Sequence, residues 1–193
     1  PGCYATAAQL ALRPLLDLLS ETPHCFGVSG YSGAGTKRTS RNDHRALKNG
    51  ILPYKLVNHT HEREISHQLG TPVRFSPHVA PFFRGITMTV QAKLNQPVEL
   101  SQIEALYNSA YSGCDLIEVV GEQMPRVQDI VSRDGAVIGG FSINPNQPDE
   151  VVIVCTIDNL RKGAASQAIQ NINLAMGCDE LMGLSSGREQ DGA

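Results

Sequence analysis

Val151-Val152-Ile153-Val154-Cys155-Thr156-Ile157 is the stretch that decides the fold. It is a near-continuous run of strand-forming residues, and such a run marks a central strand covered on both faces. Working outward, residues 136–143 and 116–120 read as further strands, and 85–94 alternates with Ile86, Met88 and Val90 on one face. Residues 73–78 and 25–29 complete the strand candidates. Helical spacing opens the chain at Ala5, Ala8, Leu12, Leu15, Leu16 and Leu19, with Pro14 expected to end or kink that helix near Arg13. A short helix at 62–69 stops at Gly70. Residues 99–111 form another, burying Ile103, Leu106, Tyr107 and Ala110, and a last helix over 163–177 spaces Ala164, Ala168, Ile172 and Ala175 by four, four and three. Residues 42–49 give no clear element. Strands joined mostly by hairpins, with helices at both ends, predict an α+β fold: a largely antiparallel or mixed sheet packed by helices.

Composition narrows the class. With 193 residues the chain suits one domain, read as 1–182, followed by a flexible tail at 183–193. A net charge of -3 gives no electrostatic footprint for nucleic acid. No apolar run reaches the roughly 18–20 residues of a membrane span, so neither a membrane nor a nucleic acid is an expected partner. Five cysteines, at 3, 25, 114, 155 and 178, lack CxxC spacing, so neither a disulfide framework nor a cysteine-rich zinc site is expected. The chain opens at Pro-Gly-Cys without Met, as though a segment lay upstream.

Three places carry candidate chemistry. Cys3 stands where the first helix begins, and the helix dipole there favours a thiolate, so its pKa is expected below the free value of about 8.5. The other four cysteines read as packing residues. The loop Gly30-Tyr31-Ser32-Gly33-Ala34-Gly35-Thr36-Lys37 fails both phosphate-binding fingerprints: it lacks the third Gly of GxGxxG and reverses the Lys-Thr order of a P-loop. It reads equally as a turn or as a ligand-touching loop. His59-Thr60-His61-Glu62-Arg63-Glu64 is the densest titratable cluster; in extended backbone both imidazoles point one way, with Glu64 orienting one of them or holding a substrate group. Arg84, opening the long strand, reads either as an anion-binding group or as an ordinary ion pair. Residues alone leave two functions open: a Cys/His hydrolase on Cys3 and His61, and a module with metal on His59, His61 and His67.

The pieces Pro1-Gly2-Cys3-Tyr4-Ala5-Thr6, Ser29-Gly30-Tyr31-Ser32-Gly33-Ala34-Gly35, His59-Thr60-His61-Glu62-Arg63-Glu64-Ile65, Phe75-Ser76-Pro77-His78, Arg84-Gly85-Ile86 and Asp158-Asn159-Leu160-Arg161-Lys162-Gly163-Ala164-Ala165 occur in this order over nearly the whole chain. Together they resemble the N-acetyl-gamma-glutamyl-phosphate reductases, NADPH-dependent enzymes of arginine biosynthesis. The last piece is also similar to aspartate-semialdehyde dehydrogenase; the Pro-Gly-Cys-Tyr start favours the former. The departures are Arg63 where many members have Pro, Tyr31 in the loop, and Thr36-Lys37-Arg38 after it. They hint at a divergent branch.

The resemblance implies a catalytic and dimerisation domain like the C-terminal domain of glyceraldehyde-3-phosphate dehydrogenase. An upstream Rossmann-type NADP domain would lie outside this chain. It implies Cys3 as nucleophile, forming a thioester from the acyl phosphate, and His61 as acid/base. His59, Arg84 and Glu64 would hold the substrate, while Gly33, Ala34, Lys162, Gly163 and Gln167 would approach NADP. No metal is implied. A homodimer or tetramer is expected, inactive without its nucleotide domain, in the cytoplasm or, for a eukaryotic source, the mitochondrial matrix. The last helix is expected to expose a small or apolar face toward the upstream domain. An aspartate-semialdehyde-dehydrogenase-like enzyme and a non-catalytic dimerisation or metal-binding module remain the alternatives.

Overall fold

A computed structural model describes residues 1–185. The chain opens on α1 (Cys3–Leu12), which passes into a 3-10 segment at Arg13–Leu18. Pro14 causes the change, because its ring has no N–H for the α ladder. There follow β1 (His24–Gly30), a 3-10 turn at Tyr31–Ala34, α2 (His44–Leu47), β2 (Leu52–Pro53) and α3 (Thr60–Leu69). Gly70 ends α3 in the left-handed region at φ 68°, where only glycine sits without strain. The rest comprises β3 (Arg74–Ala80), β4 (Ile86–Lys93), α4 (Leu100–Ala110), β5 (Ile117–Val119), α5 (Val127–Ile130), β6 (Ala136–Asn144), β7 (Gln147–Ile157), a π turn at Arg161–Ala165 and α6 (Ser166–Ala175). A capping box formed by Glu99 and Gln102 starts α4.

Seven strands form one mixed sheet in the order β2-β3-β1-β4-β7-β6-β5. The expected α+β class holds, and β7 is an interior strand. The hairpin expectation does not: β6–β7 is the one pair joined by a tight turn, whereas β1–β3 and β5–β6 are parallel. Parallel pairs need a crossover, and α3 and α5 sit in those connections.

Helix α1 lies across one face of the sheet, with Ala5, Ala8 and Leu12 fully buried alongside Ile86, Met88, Val90, Ile153, Cys155 and Ile157. Small residues on α1 let its backbone approach the strands closely. Of the residues expected to be buried on α4, Ile103 and Tyr107 are, while Leu106 is half-buried and Ala110 exposed. The opposite sheet face carries Phe26, Thr89, Gln91 and Val152, none of them fully buried. Cys25 and Cys155 are core residues; Cys114 is exposed and Cys178 half-buried, so those two are not packing residues. Of the tail expected at 183–193, residues 183–185 are described, with the Ser185 N–H donating to Asp134 Oδ2 at 3.2 Å, and 186–193 lie outside the described residues.

Candidate active site

A cleft of about 490 Å³ opens beside the N-terminal end of α1. Gly2, Cys3 and His61 line it together with Ser32, Gly33 and Gly35 from the Gly-rich turn and Asn159, Gly163 and Gln167 from the segment after β7. Sequence-distant pieces thus meet here. Cys3 is the first residue of α1, and Gly2 caps the helix in extended backbone. Both Glu64 oxygens accept the Gly2 N–H at 3.1 Å, so a carboxylate on α3 satisfies an orphan donor at the start of α1. Glu64 is thereby a positioning group for the Cys3 turn, and its carboxylate is already engaged rather than free for substrate.

Close packing explains two glycines. A Cβ on Gly2 would lie 2.1 Å from His61 Nε2, and one on Gly163 would lie 2.7 Å from Cys3 Cβ. The absence of both side chains is what brings imidazole, thiol and the π turn together. A π turn is an uncommon, strained way to begin a helix and recurs at functional sites. Here it holds Gly163 against the thiol-bearing residue, with the Gly163 N–H donating to the Asp158 carbonyl at 3.0 Å. Gln167 Nε2 donates to the carbonyls of Pro1 and Gly163 and to Thr6 Oγ1, tying α6 to α1.

The electrostatics depart from expectation at Cys3. Burial pushes its thiol up to about 11, outweighing the favourable backbone N–H groups of Tyr4 and Cys3, and the nearby Glu64 charge adds to the rise. The helix start alone therefore does not make a thiolate. His61 is held below its ordinary value by burial, partly offset by Glu64, so it rests as the neutral base. Its Nδ1 is buried and has no hydrogen-bond partner among the described residues.

Other sequence candidates fall elsewhere. His59 is in extended backbone and its ring meets that of His61 edge-on at 4.9 Å, while His61 already lies within α3. His59 is the N-cap of α3, its Nδ1 accepting the His61 backbone N–H at 3.1 Å, and its ring packs on Tyr54, His61 and Phe75. Only 7% exposed, it is pushed down to about 4 by burial first and then by the neighbouring His61, Lys55 and Arg41 charges. A neutral, packed cap is not a group for holding an anion. Arg84 donates from Nη2 to the fully buried Asp158 at 2.6 Å. That carboxylate also accepts the Ser132 and Leu160 N–H groups, so Arg84 is committed to a structural pair and does not line the cleft. Lys162 points away from the cleft, donating from Nζ to Gln170 Oε1 at 2.6 Å, and Ala34 does not line it either. Gly33, Gly163 and Gln167 do. Among the described residues, no group of three or more His, Cys, Asp and Glu is placed to hold a metal ion.

Asn159 was not among the sequence candidates. It is 3% exposed, accepts the Gly85 N–H on Oδ1 at 2.6 Å and donates from Nδ2 to Ser32 Oγ at 3.0 Å. It therefore clamps the Gly-rich turn to the π turn. Its signal was a polar pair, Asp158-Asn159, directly after the most apolar strand, where a buried polar group must find partners.

Helix α6 is inside out. Ser166, Gln170 and Asn173 are buried, whereas Ile169, Ile172, Leu174 and Met176 are 37–72% exposed. The buried amides are satisfied by Glu180 and by the carbonyls of Glu180 and Met182. The stripe through Ala164, Ala168, Ile172 and Ala175 faces outward.

Over 184 residues the chain is 56% identical to N-acetyl-gamma-glutamyl-phosphate reductase of Xanthomonas euvesicatoria pv. vesicatoria, covering 95% of this chain and 58% of that protein. The same-named protein of Xylella fastidiosa is 51% identical over 181 residues, 94% and 55% of the two chains. The chain thus spans somewhat more than half the length of these bacterial relatives, which lend no support to a mitochondrial setting. Among solved structures, aspartate semialdehyde dehydrogenase II from Vibrio cholerae superposes with a TM-score of 0.75 at 20% identity, over 92% of this chain and 61% of that one. A probable aspartate-semialdehyde dehydrogenase from Pseudomonas aeruginosa gives 0.74 at 21% identity, over 91% and 61%. At that identity the likeness is one of fold, the C-terminal fold of the glyceraldehyde-3-phosphate dehydrogenase type. Residues 3–159 match the family described as semialdehyde dehydrogenase, dimerisation domain, and the chain belongs to that family.

Proposed function

We propose that this chain is the catalytic and dimerisation part of an NADPH-dependent reductase that converts N-acetyl-gamma-glutamyl phosphate to N-acetylglutamate 5-semialdehyde and phosphate. The observation that carries the reading is the convergence of Cys3, His61 and Gly163 in one cleft, in a chain 56% identical to proteins of that name. Cys3 sulfur attacks the acyl carbon; a C–S bond forms and the C–O bond to phosphate breaks, the phosphate leaving with the electron pair. Neutral His61 takes the thiol proton that Cys3, held near 11, does not surrender to solvent at pH 7. The same imidazole then donates to the carbonyl oxygen as that carbon is reduced and removes the hydroxyl proton as the C–S bond breaks, releasing aldehyde.

Small residues on both walls of the cleft, Gly33 and Gly35 opposite Gly163, Ala164 and Ala168, fit a flat nicotinamide ring, with the Gln167 and Asn171 amides beside it. NADPH, when bound there, supplies the hydride. The outward apolar face of α6 suits the docking of an upstream nucleotide domain, without which we expect no turnover. The open sheet face around Phe26, Thr89 and Val152 suits a second copy, giving a homo-oligomer, which the family description supports. We place the enzyme in the cytoplasm. No helix among the described residues is long and apolar enough to cross a membrane.

Joining this chain to the nucleotide domain of the Xanthomonas relative and following phosphate-dependent NADP reduction by the semialdehyde tests the reading. Activity is expected, and Cys3→Ser abolishes it; full activity in that variant overturns the proposal. An aspartate-semialdehyde substrate serves as the competing arm.

A further inference from the structure

Residues 36–58 form an arm between the edge of the cleft and the start of α3. The arm begins just past Gly35, which lines the cleft, and ends at His59, the cap of the helix that carries His61. It holds Lys37, Arg38, Arg41, Arg45, Lys48 and Lys55 against a single carboxylate, Asp43. Outside it the chain has ten basic and eighteen acidic residues, so a protein of net charge -3 concentrates its positive charge on one segment. Of the six cations, Arg38 pairs with Asp43 at 2.9 Å. Among the described residues the other five form no ion pair.

The arm is ordered where it matters. Asn42 donates from Nδ2 to the carbonyls of Gly35 and Lys37 at 2.7 and 2.8 Å and accepts the Thr39 N–H at 2.7 Å. The Arg41 N–H donates to Thr39 Oγ1 at 3.3 Å in the same knot. The Arg41 guanidinium stands 4.9 Å above the Tyr54 ring, and that ring meets His59 edge-on at 5.6 Å. Stacking fixes the plane of the guanidinium, which pairs with no carboxylate among the described residues, an arrangement suited to an anion. Tyr54 reaches the cleft through His59, whose ring meets the cleft-lining His61 edge-on at 4.9 Å.

We propose that the arm is the anion-capture subsite of this cleft, with Arg41, held over Tyr54, gripping an anionic group of the substrate, carboxylate or phosphoryl. The inference rests on the acyl-phosphate reading and extends it to a residue that sets substrate class. A cationic segment with five cations outside any ion pair, beside a cleft in an otherwise acidic chain, also raises local anion concentration and accelerates capture.

Two measurements on the 193-residue chain test it. In the first, calorimetry follows binding of N-acetyl-L-glutamate and, separately, inorganic phosphate to wild type, Arg41→Ala and Arg41→Lys. We expect Arg41→Ala to weaken one probe about tenfold or more, Arg41→Lys to recover part of that loss, and added salt to weaken wild type more than Arg41→Ala. Loss confined to N-acetyl-L-glutamate assigns Arg41 to the carboxylate end; loss confined to phosphate assigns it to the phosphoryl end. Equal binding of both probes by wild type and Arg41→Ala, or no binding of either by wild type, overturns the proposal.

In the second, peptide mapping compares Cys3 alkylation by iodoacetate and by iodoacetamide, each relative to free cysteine. The anionic reagent is expected to gain on the neutral one in wild type and to lose that gain in Arg41→Ala. An unchanged ratio counts against the subsite. If neither reagent modifies Cys3, the nucleophile reading fails, and the binding measurement still decides the role of Arg41.

Discussion

Gly163→Ala is the perturbation with the clearest structural arithmetic. Its new Cβ would sit 2.7 Å from Cys3 Cβ and 3.2 Å from Cys3 Cα, whereas ordinary contact begins at 3.4 Å. The start of α1 and the π turn must therefore part by about 0.7 Å. Neither side yields easily. Cys3 Cβ and Cα are fixed to the helix, and Gly163 is tied by its N–H to Asp158 and by its carbonyl to Gln167. Overpacking of this kind costs about 1–3 kcal/mol in stability. A displacement approaching 1 Å at a reacting atom costs about 10²-fold in rate. The assay is urea denaturation of the chain, paired with steady-state kinetics after joining to a nucleotide domain. We expect kcat to fall about 10²-fold. Gly50→Ala is the control, because its nearest neighbour is 3.9 Å away. Wild-type kcat in Gly163→Ala, or an equal loss in Gly50→Ala, would refute the argument.

Gly2→Ala should displace the His61 ring, since its Cβ would fall 2.1 Å from Nε2; the pH profile of the joined enzyme should lose its imidazole limb, and an unaltered profile contradicts this. Burial lowers His59 from 6.5 to about 4, so the unfolded chain binds a proton that the folded chain refuses between those values. Stability present above pH 6.5 is then lost as pH falls toward 4, by up to about 3 kcal/mol from this group. His59→Asn, which keeps a capping side chain, should flatten that slope in urea melts at stepped pH. Cys3 alkylation should climb steadily from neutral pH through pH 9 and beyond, because its thiol lies near 11; a plateau below pH 8 would mean that a depressed pKa is built into the chain after all. On the open sheet face, Val152→Asp should convert an oligomer to monomers in sedimentation without unfolding them.

Much of the fold was legible because strand burial writes itself into the sequence. Ile86, Met88 and Val90 alternate inward on β4, and the unbroken run at 151–157 lies between two strands. Connectivity was not legible. Nothing local in β1 or β3 says that they pair in parallel, since that pairing depends on α3 folding back over the sheet. Helix α6 was hard for another reason: its buried face is polar and its apolar face is exposed, the reverse of the pattern that periodicity assumes.

At the site, position and identity were readable while environment was not. Cys3 and His61 line one cleft, but the direction of the Cys3 shift depends on how deeply α1, α3 and the π turn bury it. His59 and Arg84 show the limit from the other side. A histidine before a helix and an arginine before a strand look free in sequence, and only folding engages one as a cap and pairs the other with buried Asp158. Asn159 was visible as part of a motif but not as a clamp, because its partners, Gly85 and Ser32, are 74 and 127 residues away.

The central claim is that Cys3 carries the acyl group. The most direct test mixes the domain-joined enzyme with N-acetyl-gamma-glutamyl phosphate in the absence of NADPH, quenches in acid and maps the peptides by mass. The account predicts one N-acetylglutamyl group on the peptide containing Cys3, absent in Cys3→Ser and removed when NADPH is added before the quench. Acylation at Cys114 or another cysteine, or turnover by the Cys3→Ser enzyme, would contradict it.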